Sequence, residues 1–197
     1  ADKEIERTAF KSPLTFYEKE KIFGIGGNSE ESILNRFLEN EREEKSYFKP
    51  EYFEVSFGRL KDEGSDKILS SKDPVEIDGI KLRGKIDRVE ISEKDSAFNI
   101  VDYKLSGAKP SLSDLKNGLS LQLPVYLYAA AELLKNKYNK NYSPNDMVIY
   151  SLKYSMEEFG RNIVSIARDK EIKSVSQLID KSIEHVKNYI EQISKGK

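Results

Sequence analysis

The stretch that decides the fold runs from Gly84 to Val89, reads Gly-Lys-Ile-Asp-Arg-Val, and is followed by the tripeptide Asp102-Tyr103-Lys104. Residues two apart in a β-strand share a face, so the second strand projects Asp102 and Lys104 together and turns Tyr103 away. In the first strand the same alternation places Asp87 on the polar face. Two adjacent strands of this kind would aim two carboxylates and one ammonium group at a single point.

The chemistry of this set points to a metal site. Two carboxylates that lie close together raise each other's pKa unless a cation neutralises them, and hard oxygen ligands suit Mg²⁺ or Mn²⁺. Such a cation polarises phosphoryl oxygens and activates water, while a neighbouring lysine orients that water or shields charge. An isolated Asp-x-Lys tripeptide is more often a surface ion pair. The ordered set favours a site, because Gln122-Leu-Pro-Val-Tyr126 follows and places Gln122 and Tyr126 on one helical face.

The composition excludes several other kinds of site. The 197 residues contain no cysteine and a single histidine, His185, which rules out disulfides, zinc ribbons, thiol nucleophiles, cysteine-ligated iron–sulfur clusters and all-histidine metal centres. Lys and Arg number 33 against 34 Asp and Glu, so any nucleic-acid site must be local. Neither a membrane-spanning run nor a signal peptide is visible, so we expect a cytoplasmic protein with no membrane partner.

The periodicity of the chain predicts a mixed α/β layer with one domain over residues 1–197, a core at about 27–152 and a C-terminal strand and helix at 160–195. Pro124 is expected in the first turn of a helix that begins near residues 119–122, or at a kink in a longer one. Predicted helices cover Ser29–Glu44, about Leu112–Asn136 and Val175–Ile193. Predicted strands cover Tyr52–Phe57, Val75–Ile80, Lys81–Ile91, Phe98–Tyr103, Met147–Leu152 and Ile163–Ala167, with Asp78-Gly79 as a hairpin turn.

Over roughly residues 27–131 the sequence resembles the PD-(D/E)xK nuclease superfamily, and within it the nuclease domains of RecB/AddB-type helicase-nucleases and their stand-alone relatives. The resemblance implies that Asp87 and Asp102 are the first and second acidic metal ligands and that Lys104 is the catalytic lysine. It also implies that Gln122 and Tyr126 orient the site and the nucleic acid. We therefore expect a restriction-endonuclease-like α/β core, in which a central mixed sheet of about five strands lies between the first helix and the Gln122 helix.

Two further glutamates and two departures follow from the same resemblance. In the family's first helix a His or Glu completes the metal shell, and counting from Gly27 places Glu31 there, although an exposed structural role fits Glu31 equally well. Glu54 resembles a glutamate of the family's preceding strand and is left without a role. Many relatives hold an iron–sulfur cluster with four cysteines, and we expect none here. No phosphate-loop motif of a helicase motor occurs, so the chain corresponds to a stand-alone nuclease or to one domain of a helicase-nuclease.

Basic residues crowd the motif although the net charge is only −1. A local cluster of this kind would neutralise several phosphates and make nucleic-acid binding salt-dependent. The candidates for phosphate contacts are Arg83, Lys85, Arg88, Lys109 and Lys116.

These observations predict a Mg²⁺- or Mn²⁺-dependent deoxyribonuclease, an exonuclease or an endonuclease, that acts in DNA repair, recombination or defence, alone or with a helicase domain or subunit. The alternative is a catalytically inactive nuclease-fold domain that binds nucleic acid or a helicase partner. A third interpretation is a carboxylate-metal phosphohydrolase for small nucleotides. The intact Asp-Asp-Lys set favours the nuclease, because a binding module has no use for two carboxylates beside phosphates.

Overall fold

A five-stranded sheet forms the centre of the computed structural model, which describes residues 19–24, 32–58, 64–105, 109–153, 159–166 and 169–196. The strands are β1 (Lys49–Phe57), β2 (Val75–Ile77), β3 (Ile80–Leu82), β4 (Gly84–Ser92), β5 (Ala97–Lys104), β6 (Ser143–Ser151) and β7 (Gly160–Ile163). The helices are α1 (Ile33–Glu43), α2 (Leu112–Lys116), α3 (Gln122–Tyr138) and α4 (Val175–Ser194).

The central sheet is mixed, as predicted, with the strand order β1-β4-β5-β6-β7. β4 pairs antiparallel with both β1 and β5, whereas β5 and β6 are parallel. Parallel neighbours need a crossover connection, and α3 lies in that connection. The crossover returns the start of α3 to the end of β5, where Asp102 and Lys104 lie.

The predicted hairpin turn at Asp78-Gly79 is confirmed, because both residues have positive φ, at 48° and 83°, as a two-residue type I′ turn requires. The strand predicted over Lys81–Ile91 is wrong as a single element. It divides at Arg83 into β3, which pairs with β2 in a separate two-stranded sheet, and β4, which joins the central sheet. Alternation of apolar and polar residues continues across Arg83, so the sequence carried no signal for this division.

The helix predicted from about Leu112 to Asn136 is also two elements, α2 and α3. The chain turns between them because the amides of Leu119 and Ser120 both donate back to the Asp114 carbonyl, at 2.8 and 3.3 Å. Pro124 lies in the first turn of α3, the position at which a helix tolerates a missing amide. The prediction of a first-turn proline is therefore confirmed.

The core lies between the sheet and the helices α3 and α4. α3 buries an apolar face that includes Leu123, Leu127, Ala130 and Leu134. The sheet contributes Val55, Phe57, Ile86, Val89 and Ile100, and α4 contributes Leu178 and Ile179. Burial of this apolar surface is the main force that holds the start of α3 against β5.

The chain divides into two compact units, residues 1–45 with 152–160 and residues 46–151 with 161–197. In the first unit α1 starts later than predicted, because its N-cap is Ser32, whose hydroxyl accepts from the Asn35 amide at 3.0 Å. The strand expected at Ile163–Ala167 instead ends at Ile163. The single domain over residues 1–197 stays a prediction. Among the described residues, no helix has the length and apolar character needed to span a membrane.

Candidate active site

The ladder between β4 and β5 brings the two aspartates of the motif together. Its last pair joins Arg88 to Val101, so the next residues along each strand, Asp87 and Asp102, face each other where the pairing ends. The Tyr103 amide donates to Asp87 Oδ2 at 2.9 Å. The antiparallel register therefore places the Tyr103 amide of β5 where it orients the Asp87 carboxylate of β4.

Asp102 is held on both of its oxygens. The carboxylate is buried, with 6% of its side chain exposed, and its Oδ2 lies 2.8 Å from Lys104 Nζ. Gln122 Nε2 donates to Asp102 Oδ1 at 3.0 Å, and Gln122 Oε1 accepts from Lys104 Nζ at 3.4 Å. One amide at the start of α3 thus contacts both members of the Asp-x-Lys pair. The predicted association of Asp102, Lys104 and Gln122 is present in the structure.

Burial and, after it, the neighbouring carboxylates raise the pKa of Asp87 above its ordinary value. Burial raises the pKa of Asp87 most, and the charges of Asp102 and Glu54 raise it further, while the Tyr103 amide and the Lys104 ammonium act in the opposite direction. A carboxylate with this environment gains most from a cation placed next to it. The electrostatics therefore agree with the donor chemistry predicted for a hard divalent ion.

Glu54 lies opposite Asp87 across the ladder between β1 and β4, because the flanking pairs are Phe53 with Arg88 and Val55 with Ile86. Its φ of 56° is in the left-handed region, which is rare for a residue other than glycine and is favoured at functional sites. Its carboxylate pairs with Lys85 Nζ at 2.8 Å. Glu54 therefore belongs to the charged surroundings of the site, although its sequence pattern assigned it no role.

Tyr126 lies one turn after Gln122 on α3 and packs edge-on against Phe57, with ring centroids 6.2 Å apart. Gly84 lies directly beneath both rings. A Cβ at residue 84 would lie 2.7 Å from Phe57 Cζ and 3.1 Å from Tyr126 Cε1. The close approach of these rings thus requires glycine at the start of the motif. Tyr126 stays a predicted site residue, because it lies one turn after Gln122.

Arg88 corrects the sequence analysis. It is 2% exposed, and its guanidinium pairs with buried Glu90 at 2.5 Å and donates to the Tyr103 hydroxyl at 3.1 Å. Arg161 donates to both Glu90 oxygens, at 2.7 and 2.9 Å. The prediction that Arg88 contacts nucleic acid is wrong, because its guanidinium is buried and pairs with Glu90. Nothing in the sequence pattern linked Glu90 to Arg161, which lies on β7.

The other basic candidates differ in their availability. Arg83 and Lys109 are exposed, and Lys85 is partly exposed beside Glu54, so all three stay predicted phosphate contacts. Lys116 is 19% exposed and pairs with Asp169 at 3.0 Å and Glu171 at 2.7 Å. Those two carboxylates pair with the ammonium, and the role of Lys116 in phosphate binding stays a prediction.

The metal shell is the least complete part of the prediction. Glu31 lies outside the described residues. Within the ranges that the structure describes, no group of three or more His, Cys, Asp or Glu side chains could hold an ion. The two aspartates nevertheless fit a hard cation, because Asp102 Oδ2 is buried and, among the described residues, has an ion pair with Lys104 but no hydrogen bond.

Comparison with known proteins gives a consistent result. A model of the PD-(D/E)XK nuclease superfamily matches residues 3–197. An ATP-dependent helicase/deoxyribonuclease subunit from Clostridium botulinum (strain Loch Maree / Type A3) is 30% identical over 175 residues, which are 87% of this chain and 15% of the relative. The protein of the same name from Caldanaerobacter subterraneus subsp. tengcongensis is 40% identical over 132 residues, 65% of this chain and 11% of the relative. The chain thus spans less than a sixth of the length of these relatives.

Proposed function

Because the chain belongs to the PD-(D/E)XK nuclease superfamily, we propose that it is a metal-dependent nuclease that hydrolyses phosphodiester bonds in DNA. The observation that carries the proposal is the contact of Gln122 with both Asp102 and Lys104, next to Asp87. Two facing carboxylates and a lysine at one point supply the charges that phosphodiester hydrolysis needs.

Asp87 and Asp102 would hold the divalent ion, for which Mg²⁺ and Mn²⁺ are the candidates that suit carboxylate ligands. When bound, the ion would supply Lewis-acid polarisation of the phosphoryl oxygens and a lower pKa of water. Glu31 is a further proposed ligand from the sequence. Because Asp102 is buried, its carboxylate would interact more strongly with a cation than a carboxylate in bulk water does.

Lys104 is the group that would meet the reacting atoms. Its side chain is 39% exposed while that of Asp102 is 6% exposed, so the ammonium lies between a buried carboxylate and solvent. From there Lys104 can donate a hydrogen bond to the attacking water or to a phosphate oxygen that gains negative charge. Gln122 keeps Lys104 and Asp102 in a fixed relation, and Tyr126 packs one turn further along α3.

The biological setting is part of the same proposal. The relatives carry a name that joins a helicase and a deoxyribonuclease, which supports DNA as the substrate and a helicase domain or subunit as the partner. Degradation of DNA during repair or recombination in the cytoplasm is the role that we propose on this basis. The proposal includes no iron–sulfur cluster, because the chain has no cysteine.

Cleavage of labelled single- and double-stranded DNA with Mg²⁺, Mn²⁺ or EDTA tests the proposal. We expect cutting that requires metal and is lost in Asp102→Asn and Lys104→Ala. Lys140→Ala is the matched control, because Lys140 follows the far end of α3, about 25 Å from Gln122 at 1.5 Å per residue. Absence of cutting with any metal, while DNA binding persists, would favour the inactive binding domain instead. Cutting that survives both substitutions would place the chemistry elsewhere.

A further inference from the structure

A cavity of about 420 Å³ adjoins the candidate active site on the side of the α2–α3 connection. Lys104 and Gln122 contribute to its wall, so the cavity and the site share two residues. Its volume falls in the range of about 300–1,000 Å³ that is typical of pockets for small ligands. A nucleic-acid strand with a phosphate at the two aspartates would place a neighbouring nucleotide next to this cavity.

The cavity wall carries both positively and negatively charged side chains. Lys104 and Lys109 carry positive charge, whereas Asp114 carries negative charge and caps α2 by accepting from the Ser111 amide at 3.0 Å and the Ser111 hydroxyl at 2.7 Å. A phosphate is attracted to the lysines and repelled by Asp114, but an uncharged nucleobase is not repelled. The cavity therefore suits a nucleotide that has its phosphate at the lysines and its base on the Asp114 side.

Leu119 supplies an apolar contact on that same side. It lines the cavity, it is 75% exposed, and its amide donates to the Asp114 carbonyl at 2.8 Å. The connection that carries it is anchored to α4, since the Tyr189 hydroxyl donates to the Gly118 carbonyl at 3.3 Å and His185 Nε2 contacts the Lys116 carbonyl at 2.8 Å. The hydrogen bonds of this turn thus keep the Leu119 side chain exposed to solvent at the edge of the cavity.

We propose that this cavity is a subsite for one nucleobase of the scissile strand, next to the cleaved phosphodiester, and that Leu119 packs against that base. The proposal rests on the proposed function for the position of the phosphate. Leucine and proline side chains can separate neighbouring bases, and Pro110 also lines the cavity. Contact with the face of a base is tolerant of sequence, so the subsite would accept any of the four bases.

The test uses the full chain, EDTA to prevent metal-dependent cutting, and a short single-stranded oligonucleotide that carries one 2-aminopurine. Emission of 2-aminopurine rises when the base leaves its stack. We expect a rise when the oligonucleotide binds the wild type, and its loss in Leu119→Ser together with roughly fivefold weaker binding. Leu119→Met keeps an apolar side chain and is expected to keep the rise. Ile193→Ser is the matched control, because Ile193 is 71% exposed on the last turn of α4 and does not line the cavity.

The outcomes separate this proposal from the nuclease proposal. No rise on binding of the wild type, or a Leu119→Ser protein that matches Ile193→Ser in emission and affinity, would overturn the subsite even if metal-dependent cleavage is intact. A rise that depends on Leu119, in a protein that cleaves DNA with neither Mg²⁺ nor Mn²⁺, would keep a base subsite at this cavity and overturn the nuclease. Absence of DNA binding in EDTA would overturn the subsite and leave the nuclease proposal to the metal-dependent cleavage assay. Thermal melting of each variant confirms that an exposed substitution leaves the fold intact.

Discussion

Gln122 donates through Nε2 to Asp102 Oδ1 at 3.0 Å, and this contact links the first residue of α3 to the end of β5. The same side chain accepts from Lys104 through Oε1. Both ends of one amide are therefore used, one for a carboxylate and one for an ammonium. A neutral side chain that contacts both charges can set their orientation without adding charge of its own.

Gln122→Leu removes both contacts, and we expect kcat to fall roughly 10- to 100-fold, the loss typical of residues that orient metal ligands. DNA affinity and Tm should change little, because Gln122 is exposed and leaves the core untouched. Steady-state cleavage kinetics and thermal melting measure the two effects. Gln122→Glu tests the orientation, since it keeps an acceptor for Lys104 but opposes the Asp102 carboxylate. Wild-type kcat in both variants would contradict the role.

Asp87→Asn should stabilise the protein. The folded-state pKa of Asp87 is raised, first by burial and then by Asp102 and Glu54, so the native state holds this proton more tightly than the unfolded state. The ionised group therefore opposes folding at neutral pH, and this effect disappears once the pH falls below the unfolded pKa of about 3.9. In EDTA, we expect a Tm rise of about 1–2 °C at pH 7, kept small by solvent screening of a half-buried group, and none in strong acid. A lower Tm at pH 7 would contradict this sign.

Glu90→Gln should destabilise the chain strongly. Glu90 is buried between Arg88 and Arg161, and removal of its charge ends the ion pairs that it makes with both cations. Breaking a buried ion pair in this way costs about 3–5 kcal/mol, to be measured by urea unfolding. Tyr103→Phe is the control, because it removes only the hydroxyl that Arg88 contacts. Equal stability of the two variants would contradict the role of the network.

The effect of Glu90→Gln should also depend on pH. Burial raises the pKa of Glu90, but the hydrogen bonds and charge of Arg161 and the charge of Arg88 outweigh it and hold the pKa below its ordinary value of 4.5. The stabilisation is therefore present above the unfolded pKa and is lost as the pH falls through the folded pKa. We expect the stability difference between wild type and Glu90→Gln to be largest near pH 7 and to shrink in acid. A difference that grows on acidification would contradict the prediction.

Gly84→Ala tests the close approach beneath the rings of Phe57 and Tyr126. The added methyl group would overlap Phe57 Cζ, and overpacking of this kind costs about 1–3 kcal/mol. We expect reduced stability and reduced cleavage, since Gly84 begins the strand that carries Asp87. Phe57→Leu added to Gly84→Ala makes room and should recover part of both losses. Additive damage in the double variant would show that the contact is not the cause.

Lys109→Ala and Arg83→Ala should each weaken DNA binding for all sequences. Each removes one exposed cation, so the slope of log Kd against log salt concentration should decrease by about 1. Fluorescence anisotropy over a salt series measures this slope. Lys140→Ala is the matched control, because Lys140 pairs with Glu93 beyond the end of α3 and should leave the slope unchanged. Equal slopes in all four proteins would exclude these residues as phosphate contacts.

The sequence by itself determined most of the elements and which charged residues of the motif fall on the same side of a strand or helix. Alternation placed Asp87 on the polar face of its strand and placed Asp102 and Lys104 on one side of theirs, and the four-residue spacing placed Gln122 and Tyr126 on one side of α3. These patterns are local, because the repeat of a strand or a helix is visible within a few residues. The type I′ turn at Asp78-Gly79 was predictable for the same reason.

Only the tertiary structure decided which charges are available. Alternation places Arg88 on the apolar side and Arg83 on the polar side, but it does not show that the buried carboxylate of Glu90 pairs with Arg88 while Arg83 is exposed. That difference depends on Arg161, which reaches Glu90 from β7, 71 positions along the chain. The separation of β3 from β4 and the charged surroundings of Glu54 depend equally on partners in other strands. Contacts between distant segments leave no periodic signal, because any compatible side chain at the facing position would satisfy them.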